Sequence, residues 1–390
     1  MAGIADAGQE RQVGCVTALT TLSPVRRERQ GKLDLRLALI SGFPALGRPL
    51  AELAFIHYAR WTVLESAPLR DGSGERVPLA SRYLLFESNY NGRPGDYLDA
   101  FADVLPYRLA RLWGTCQQFE QTVEQADGGD GLTFPSWAFR DYVERNELEV
   151  LHFHAAYPQA TMIDVRQALA VADERRRAAR RRGDALEATV RRAVPLVIGP
   201  EPPAPSLPQR LRGLVEAQLR ALGRRYGVNP FGLLAPVDAA AADALFARLR
   251  RWPQGDGQSP LGALSDTHYA RLVGVPPELK YLGQAERDDL GAPYLLYTSN
   301  HCGPERAHIG RLRSELAGVA DEIWGHSPGY PGHRHRDFED WVRRHRVGTR
   351  YFAYGYAPRE VEQIREALAD RERLATTLWN QGPSRDWLDG

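Results

Sequence analysis

His57-Tyr58-Ala59-Arg60 returns later in the chain as His268-Tyr269-Ala270-Arg271. The offset of 211 (268 − 57) then holds without a gap for sixty positions. It pairs Tyr83-Leu84-Leu85 with Tyr294-Leu295-Leu296, Ser88-Asn89 with Ser299-Asn300, Gly92 with Gly303, and Trp113-Gly114 with Trp324-Gly325. From His57 to Cys116, 17 of the 60 pairs are identical. The chain is an internal duplication, and a repeat has to be recognised before any fold is assigned.

Outward from this block, each half opens with a strand and a helix. Val13–Leu22 reads as a strand and Ser23-Pro24 as a helix start; Phe231–Leu234 and Asp238–Trp252 stand in the same places at an offset of 212. Second strands are expected at Ile56–Val63 and Thr267–Val273, and third strands at Arg82–Asn89 and Pro293–Asn300. Helices follow at Asp96–Arg108 and Glu305–Leu316, then short fourth strands around Leu112-Trp113 and Ile323-Trp324. The order β-α-β-β-α-β is the ferredoxin-like split unit.

A tail repeats at an offset of 199, pairing Phe139 with Phe338, Phe153 with Phe352 and Tyr157 with Tyr356. The loss of 12 residues (211 − 199) falls between the core and the tail, where the first half carries Glu124–Thr133, a glycine-rich loop. Between the halves, Asp173–Ala193 reads as a helix with two arginine triplets. Pro202 to Pro208 reads as a stiff linker and Gln209–Tyr226 as a further helix. The expected domains are 11–172, a connector at 173–228, and 229–390. The fold class is α+β, an internal duplication of two ferredoxin-like modules packed as an intramolecular dimeric α/β barrel.

Composition narrows the function. Fifty basic against 49 acidic residues leave a net charge of +1, which argues against a nucleic-acid or anionic-membrane partner. Three scattered cysteines suit neither a disulfide framework nor a thiolate zinc site. No apolar run reaches membrane length and no leader precedes Val13, so a cytoplasmic protein is expected. There is no G-x-G-x-x-G, P-loop, G-x-S-x-G or H-E-x-x-H, which argues against nucleotide use, serine hydrolysis and zinc proteolysis.

Strand alternation sorts the candidate site residues. Tyr58, Arg60 and Thr62 share one face of the second strand, with His57, Ala59 and Trp61 on the other; Glu87 and Asn89 oppose Phe86 and Ser88. Arg60 with Glu87 and Asn89, and Arg271 with Asn300, are candidates to line the space between the sheets. There an arginine either pairs with a carboxylate or holds a ligand. The second half has Thr298 at the position of Glu87, His301 at that of Tyr90 and His326 at that of Thr115, so it is the expected active half. His57 and His268 read as core residues or ligands. His326, in a loop after the expected fourth strand, and His301, after the third, are candidate metal ligands. His333 and His335 suit a solvated loop, and His152 and His154 share a face of a strand.

The blocks His57–Trp61, Leu84–Gly92 and Leu112–Gly114, with His268–Leu272, Leu295–Gly303 and Ile323–Tyr330, resemble tandem proteins of the dimeric α/β-barrel superfamily. The resemblance spans nearly all of both halves. That superfamily includes heme enzymes such as dye-decolourising peroxidases, chlorite dismutases and aldoxime dehydratases, and cofactor-free polyketide monooxygenases and cyclases. This chain lacks the peroxidases' G-x-x-D-G segment and has Asn91 and Cys302 where closer relatives tend to have aspartate. The resemblance implies a heme-dependent oxidoreductase acting on a small organic substrate or peroxide. Arg271 would stabilise charge on the distal side, His326 or His301 would bind iron, and Trp324 would lie against the cofactor. The alternatives are a cofactor-independent cyclase or monooxygenase using Tyr269, Arg271, Asn300 and His301, and a non-catalytic ligand-binding or scaffold module. A homodimer is compatible with each.

Overall fold

In a computed structural model of the protein, the described residues are 11–42, 53–127, 134–180, 227–254, 258–279, 284 and 287–381. The proline-rich linker, the helix expected at 209–226 and the second half of the arginine-rich helix lie outside them. The architecture is mixed α+β with antiparallel sheets.

The first half contributes strands β1 (Val16–Val25), β2 (Ile56–Pro68), β3 (Arg76–Asn91) and β4 (Val150–Ala155). The second contributes β5 (Val228–Pro236), β6 (Thr267–Val275), β7 (Tyr294–Cys302) and β8 (Tyr351–Tyr354). One sheet runs β1-β3-β2-β8, with the two-residue strand Gln12–Val13 beyond β1; the other runs β5-β7-β6-β4. Each half therefore sends its last strand to the other half's sheet. Phe153 of β4 pairs with Arg271 of β6, and Phe352 of β8 with Arg60 of β2. The residues leading into these strands bond to their own half: Leu22 N–H donates to Asn146 O (2.8 Å) and Leu234 N–H to His345 O (2.9 Å). Main-chain hydrogen bonds thus join the two sheets at both edges.

The helices are α1 (Gln30–Gly42), α2 (Pro94–Val104), α3 (Pro106–Trp113), α4 (Phe119–Asp127), α5 (Ser136–Arg145), α6 (Met162–Arg180), α7 (Ala239–Arg250), α8 (Glu305–Ser314), α9 (Gly318–Trp324), α10 (Phe338–Arg344) and α11 (Val361–Gln381). Leu112-Trp113 and Ile323-Trp324, expected as fourth strands, close helices α3 and α9 instead. Pro106 sits in the first turn of α3, where its missing N–H costs nothing, and Leu109, Leu112 and Trp113 fall on one buried stripe. The true fourth strands come later, at Val150–Ala155 and Tyr351–Tyr354. Pro24 lies inside β1, and the first helix starts only after a 3-10 turn at Arg27–Arg29.

Three apolar clusters follow from alternation. Ala59, Trp61, Leu84 and Phe86 pack under the helices of the first half, and Ala270, Leu272, Leu295 and Tyr297 under those of the second. The third contains Leu22, Tyr58, Leu85 and Phe153 together with Leu234, Tyr269, Val273 and Leu296, so it lies between the sheets. His57 departs from alternation. A bulge between Ile56 and Tyr58 turns its ring toward Tyr269 and Tyr356, on the inter-sheet side.

Candidate functional site

Arg60 faces Glu87 across the β2–β3 ladder, and Arg271 faces Thr298 across β6–β7. All four side chains are buried between the sheets. Arg60 pairs with Glu87, whose Oε1 accepts from Thr298 Oγ1 at 2.8 Å and lies 3.8 Å from Arg271 Nε. Glu87 is thus shared by both arginines, where the sequence alone leaves Arg271 without this partner.

The remaining donors reach across the gap. Arg60 Nη1 donates to Phe231 O (2.8 Å) and Arg271 Nη1 to Leu19 O (2.6 Å), positions equivalent at the first-strand offset of 212. Arg271 Nη2 also donates to Ser88 O (3.0 Å) and to Asn89 Oδ1. Asn89 Nδ2 donates to Asn300 Oδ1 at 2.9 Å. Burial lowers the pKa of both arginines, that of Arg271 to about 10, with Glu87 opposing the shift in each. The cavity lined by Tyr58, Arg60, Glu87, Asn89, Tyr269, Arg271, Thr298 and Asn300 measures about 10 Å³, the room of one water molecule.

At one end of this interior the duplicated histidines meet duplicated tyrosines. His57 Nδ1 is 3.3 Å from Tyr356 Oη, His268 Nδ1 is 3.0 Å from Tyr157 Oη, and the two hydroxyls are 2.6 Å apart. His268 Nε2 is 3.0 Å from Cys302 Sγ. Burial pushes both histidines down to about 3, so they are neutral core groups.

Asn300 and Tyr269 stand beside Arg271 in the interior, as alternation requires. His301 lies on the helix side of the second sheet, its ring stacked on His308 of α8 with centroids 4.0 Å apart. Asp266, immediately before β6, accepts from His308 Nδ1 (3.1 Å) and Thr267 Oγ1 (3.0 Å). Burial raises the Asp266 pKa, but these hydrogen bonds outweigh it and hold the carboxyl below its ordinary range. Burial likewise drives the His301 pKa well below the usual imidazole value. Asp266, His301 and His308 offer donor atoms within 4.8 Å of one another, a metal-ligand grouping among the described residues. The sequence reading singled out His301 and missed the other two.

Trp324 is buried against Tyr297 and Trp341 on the helix side, while His326, two residues on, is exposed. Arg271 faces the opposite side of the same sheet. His326, Trp324 and Arg271 therefore do not converge on one space, and the interior holds far less than the ~300–1,000 Å³ of an organic ligand site. These residues do not fit a heme. His152 contacts Ser259 Oγ at 2.8 Å and His333 Nδ1 contacts Asp321 Oδ2 at 2.6 Å.

A roomier opening lies at the hairpin end of β2 and β3. It measures about 670 Å³ and is lined by Arg27, Gln30, Glu65, Arg76, Leu79 and Arg82, among others. Arg82 is paired with Asp34 and Glu65 at 2.9 Å each. Arg76 donates to Ser66 Oγ (2.9 Å) and Ser66 O (2.6 Å) but meets no carboxylate among the described residues, and its Nη1 is buried without a partner.

Among the described residues no helix is long and apolar enough to cross a membrane. No family model and no curated protein matches the chain.

Proposed function

We propose that the chain is a pair of ferredoxin-like modules closed into one barrel of the dimeric α/β type, working as a ligand-binding module whose interior is structural. The barrel reading is supported by edge bonding on both sides, by the matching strand order of the two sheets, and by contacts between residues equivalent under the repeat. Asn89 with Asn300 and Tyr157 with Tyr356 are such pairs, as expected where a two-fold axis passes.

The binding reading is carried by a contrast of space and charge. The interior has room for one water and its arginines are satisfied by Glu87 and main-chain carbonyls. The groove at β2–β3 has about 670 Å³ and an arginine with an unused donor. A guanidinium without a carboxylate partner recognises carboxylate or phosphate groups by paired N–H donors, so the ligand class is a small organic anion.

The test is a thermal-shift series with benzoate, citrate and inorganic phosphate on the full chain and on Arg76→Gln, with Arg287→Gln as a surface control. At least one anion is expected to raise Tm in the parent and the control and to lose that effect in Arg76→Gln. No shift with any of the three, or a shift that survives Arg76→Gln, overturns the reading. Heme added to the purified protein is expected to give no Soret band; a stoichiometric band abolished by His301→Ala restores the oxidoreductase reading in its place.

A further inference from the structure

Asp266, His301 and His308 occupy the positions of Phe55, Tyr90 and Tyr97 in the first half, each 211 residues earlier. There the three form an apolar aromatic stack: Tyr90 lies on Tyr97 with centroids 3.7 Å apart and planes 13° from parallel, and Phe55 meets Tyr97 edge-on at 5.6 Å. The second half keeps the stacked geometry, with planes 7° apart, but builds it from two imidazoles and a carboxylate. Packing alone is already solved by the aromatic version, so the change of chemistry calls for another cause.

Hydrogen bonding fixes which nitrogens are bare. His301 Nδ1 is 3.3 Å from the Cys302 carbonyl, which can only accept, so Nδ1 carries the proton and Nε2 a lone pair. That Nε2 is fully buried and has no partner. His308 Nδ1 faces the Asp266 carboxylate at 3.1 Å and shares a proton with it, while Nε2 lies 3.0 Å from Ser299 Oγ; a metal ion that displaces that proton finds Nδ1 and Asp266 Oδ2 side by side, with Nε2–H left to donate to the serine. A neutral imidazole whose protonated nitrogen is held by a main-chain carbonyl, as in His301, presents its other nitrogen to a metal ion. An unpaired buried acceptor costs ~1–3 kcal/mol; His57, His152 and His345 also have an unpartnered buried nitrogen, but among the described residues only His301 stands with a second imidazole and a carboxylate at ligand spacing.

We propose that Asp266, His301 and His308 form a binding site for one divalent transition-metal ion in the second half, independent of the groove at Arg76. Two imidazoles and one carboxylate suit zinc or iron(II) and not calcium or magnesium, which take oxygen ligands. Each of the three offers one ligand atom, and these atoms lie within 4.8 Å of one another. Arg311 Nε lies 3.3 Å from Asp266 Oδ2, so the carboxylate also faces a cationic side chain that reaches the surface. Three protein ligands leave further coordination positions open, as in sites that bind water or substrate.

The test is titration calorimetry of the EDTA-stripped full chain with zinc chloride, repeated with magnesium chloride. The parent is expected to bind one zinc per chain and to ignore magnesium. The double variant His301→Tyr/His308→Tyr imports the stacked pair that the first half already packs, and is expected to fold and to bind zinc more than ~100-fold more weakly, beyond the loss of an outer hydrogen-bond partner. Asp266→Asn, which keeps the size of the side chain, serves as a second variant and is expected to weaken binding at least ~10-fold. His333 and His335 remain in every variant, so zinc held there appears equally in all of them. Absence of a one-to-one site in the parent, or an unchanged site in the variants, overturns the proposal.

Discussion

Asn89 Nδ2 donates to Asn300 Oδ1 across 2.9 Å, and the two residues are separated by the repeat spacing of 211. A residue that touches its own copy lies on the axis relating the copies. Beside it the symmetry is broken where Glu87 meets Thr298 at 2.8 Å: one carboxylate serves two arginines.

This sharing predicts an asymmetric mutational response. Glu87→Ala leaves two guanidiniums buried and uncompensated and is expected to cost about 3–5 kcal/mol. Thr298→Val removes one neutral donor and is expected to cost about 1 kcal/mol. Arg60→Ala and Arg271→Ala are expected to destabilise by similar amounts, since each removes one arm of the same network. Urea unfolding of the four variants measures this; a Glu87→Ala midpoint equal to the parent's rules out the shared-carboxylate account.

The buried histidines predict acid sensitivity. Burial lowers His57 and His268 from 6.5 to about 3, so each binds a proton more readily in the unfolded chain. Their contribution is complete above pH 6.5 and is lost as pH falls toward 3, by up to about 1.4 kcal/mol per pH unit for each group. Unfolding free energy is therefore expected to drop between pH 6.5 and 4. In the double variant His57→Gln/His268→Gln that slope is expected to flatten, and an unchanged slope would assign the acid loss to other groups.

Gly355 predicts a steric limit at the end of the exchanged strand β8. A Cβ there would lie 2.1 Å from Ile56 O, on the backbone of β2, which cannot yield as a flexible side chain does. Its N–H donates to His57 O at 2.9 Å. Gly355→Ala is expected to cost at least about 1–3 kcal/mol, read as a lower midpoint in thermal unfolding; Gly348→Ala, which meets open space, is the control.

How much of this was legible depends on distance along the chain. The offset of 211 located β2, β3, β6 and β7 to within a few residues, and period-two alternation placed Arg60, Glu87, Arg271 and Asn300 in the interior. Alternation failed at His57 because a bulge is a local event with no clear sequence signal. Leu112-Trp113 was misassigned because four strands were needed per half and the exchange of β4 and β8 was not foreseen; Pro106 and the spacing of Leu109, Leu112 and Trp113 were the helix signal. Asp266 and His308 were missed although the offset pairs them with Phe55 and Tyr97. Asp266 lies two residues before the block of sixty pairs, and Tyr97 with His308 falls in the stretch 93–104 where no pair is identical, so no matching neighbour marks either.

The strand exchange also governs how the molecule can be made. Among the described residues the free edge of β2 finds its partner in residues 351–354, so during synthesis the leading half waits, with an open ladder, until some 290 further residues have left the ribosome (351 − 61 = 290). Such late pairing between distant segments slows folding and exposes a strand edge to neighbouring nascent chains. Premature termination anywhere before β8 would leave that edge uncapped, and the truncated product would be a substrate for chaperones rather than a working half-molecule.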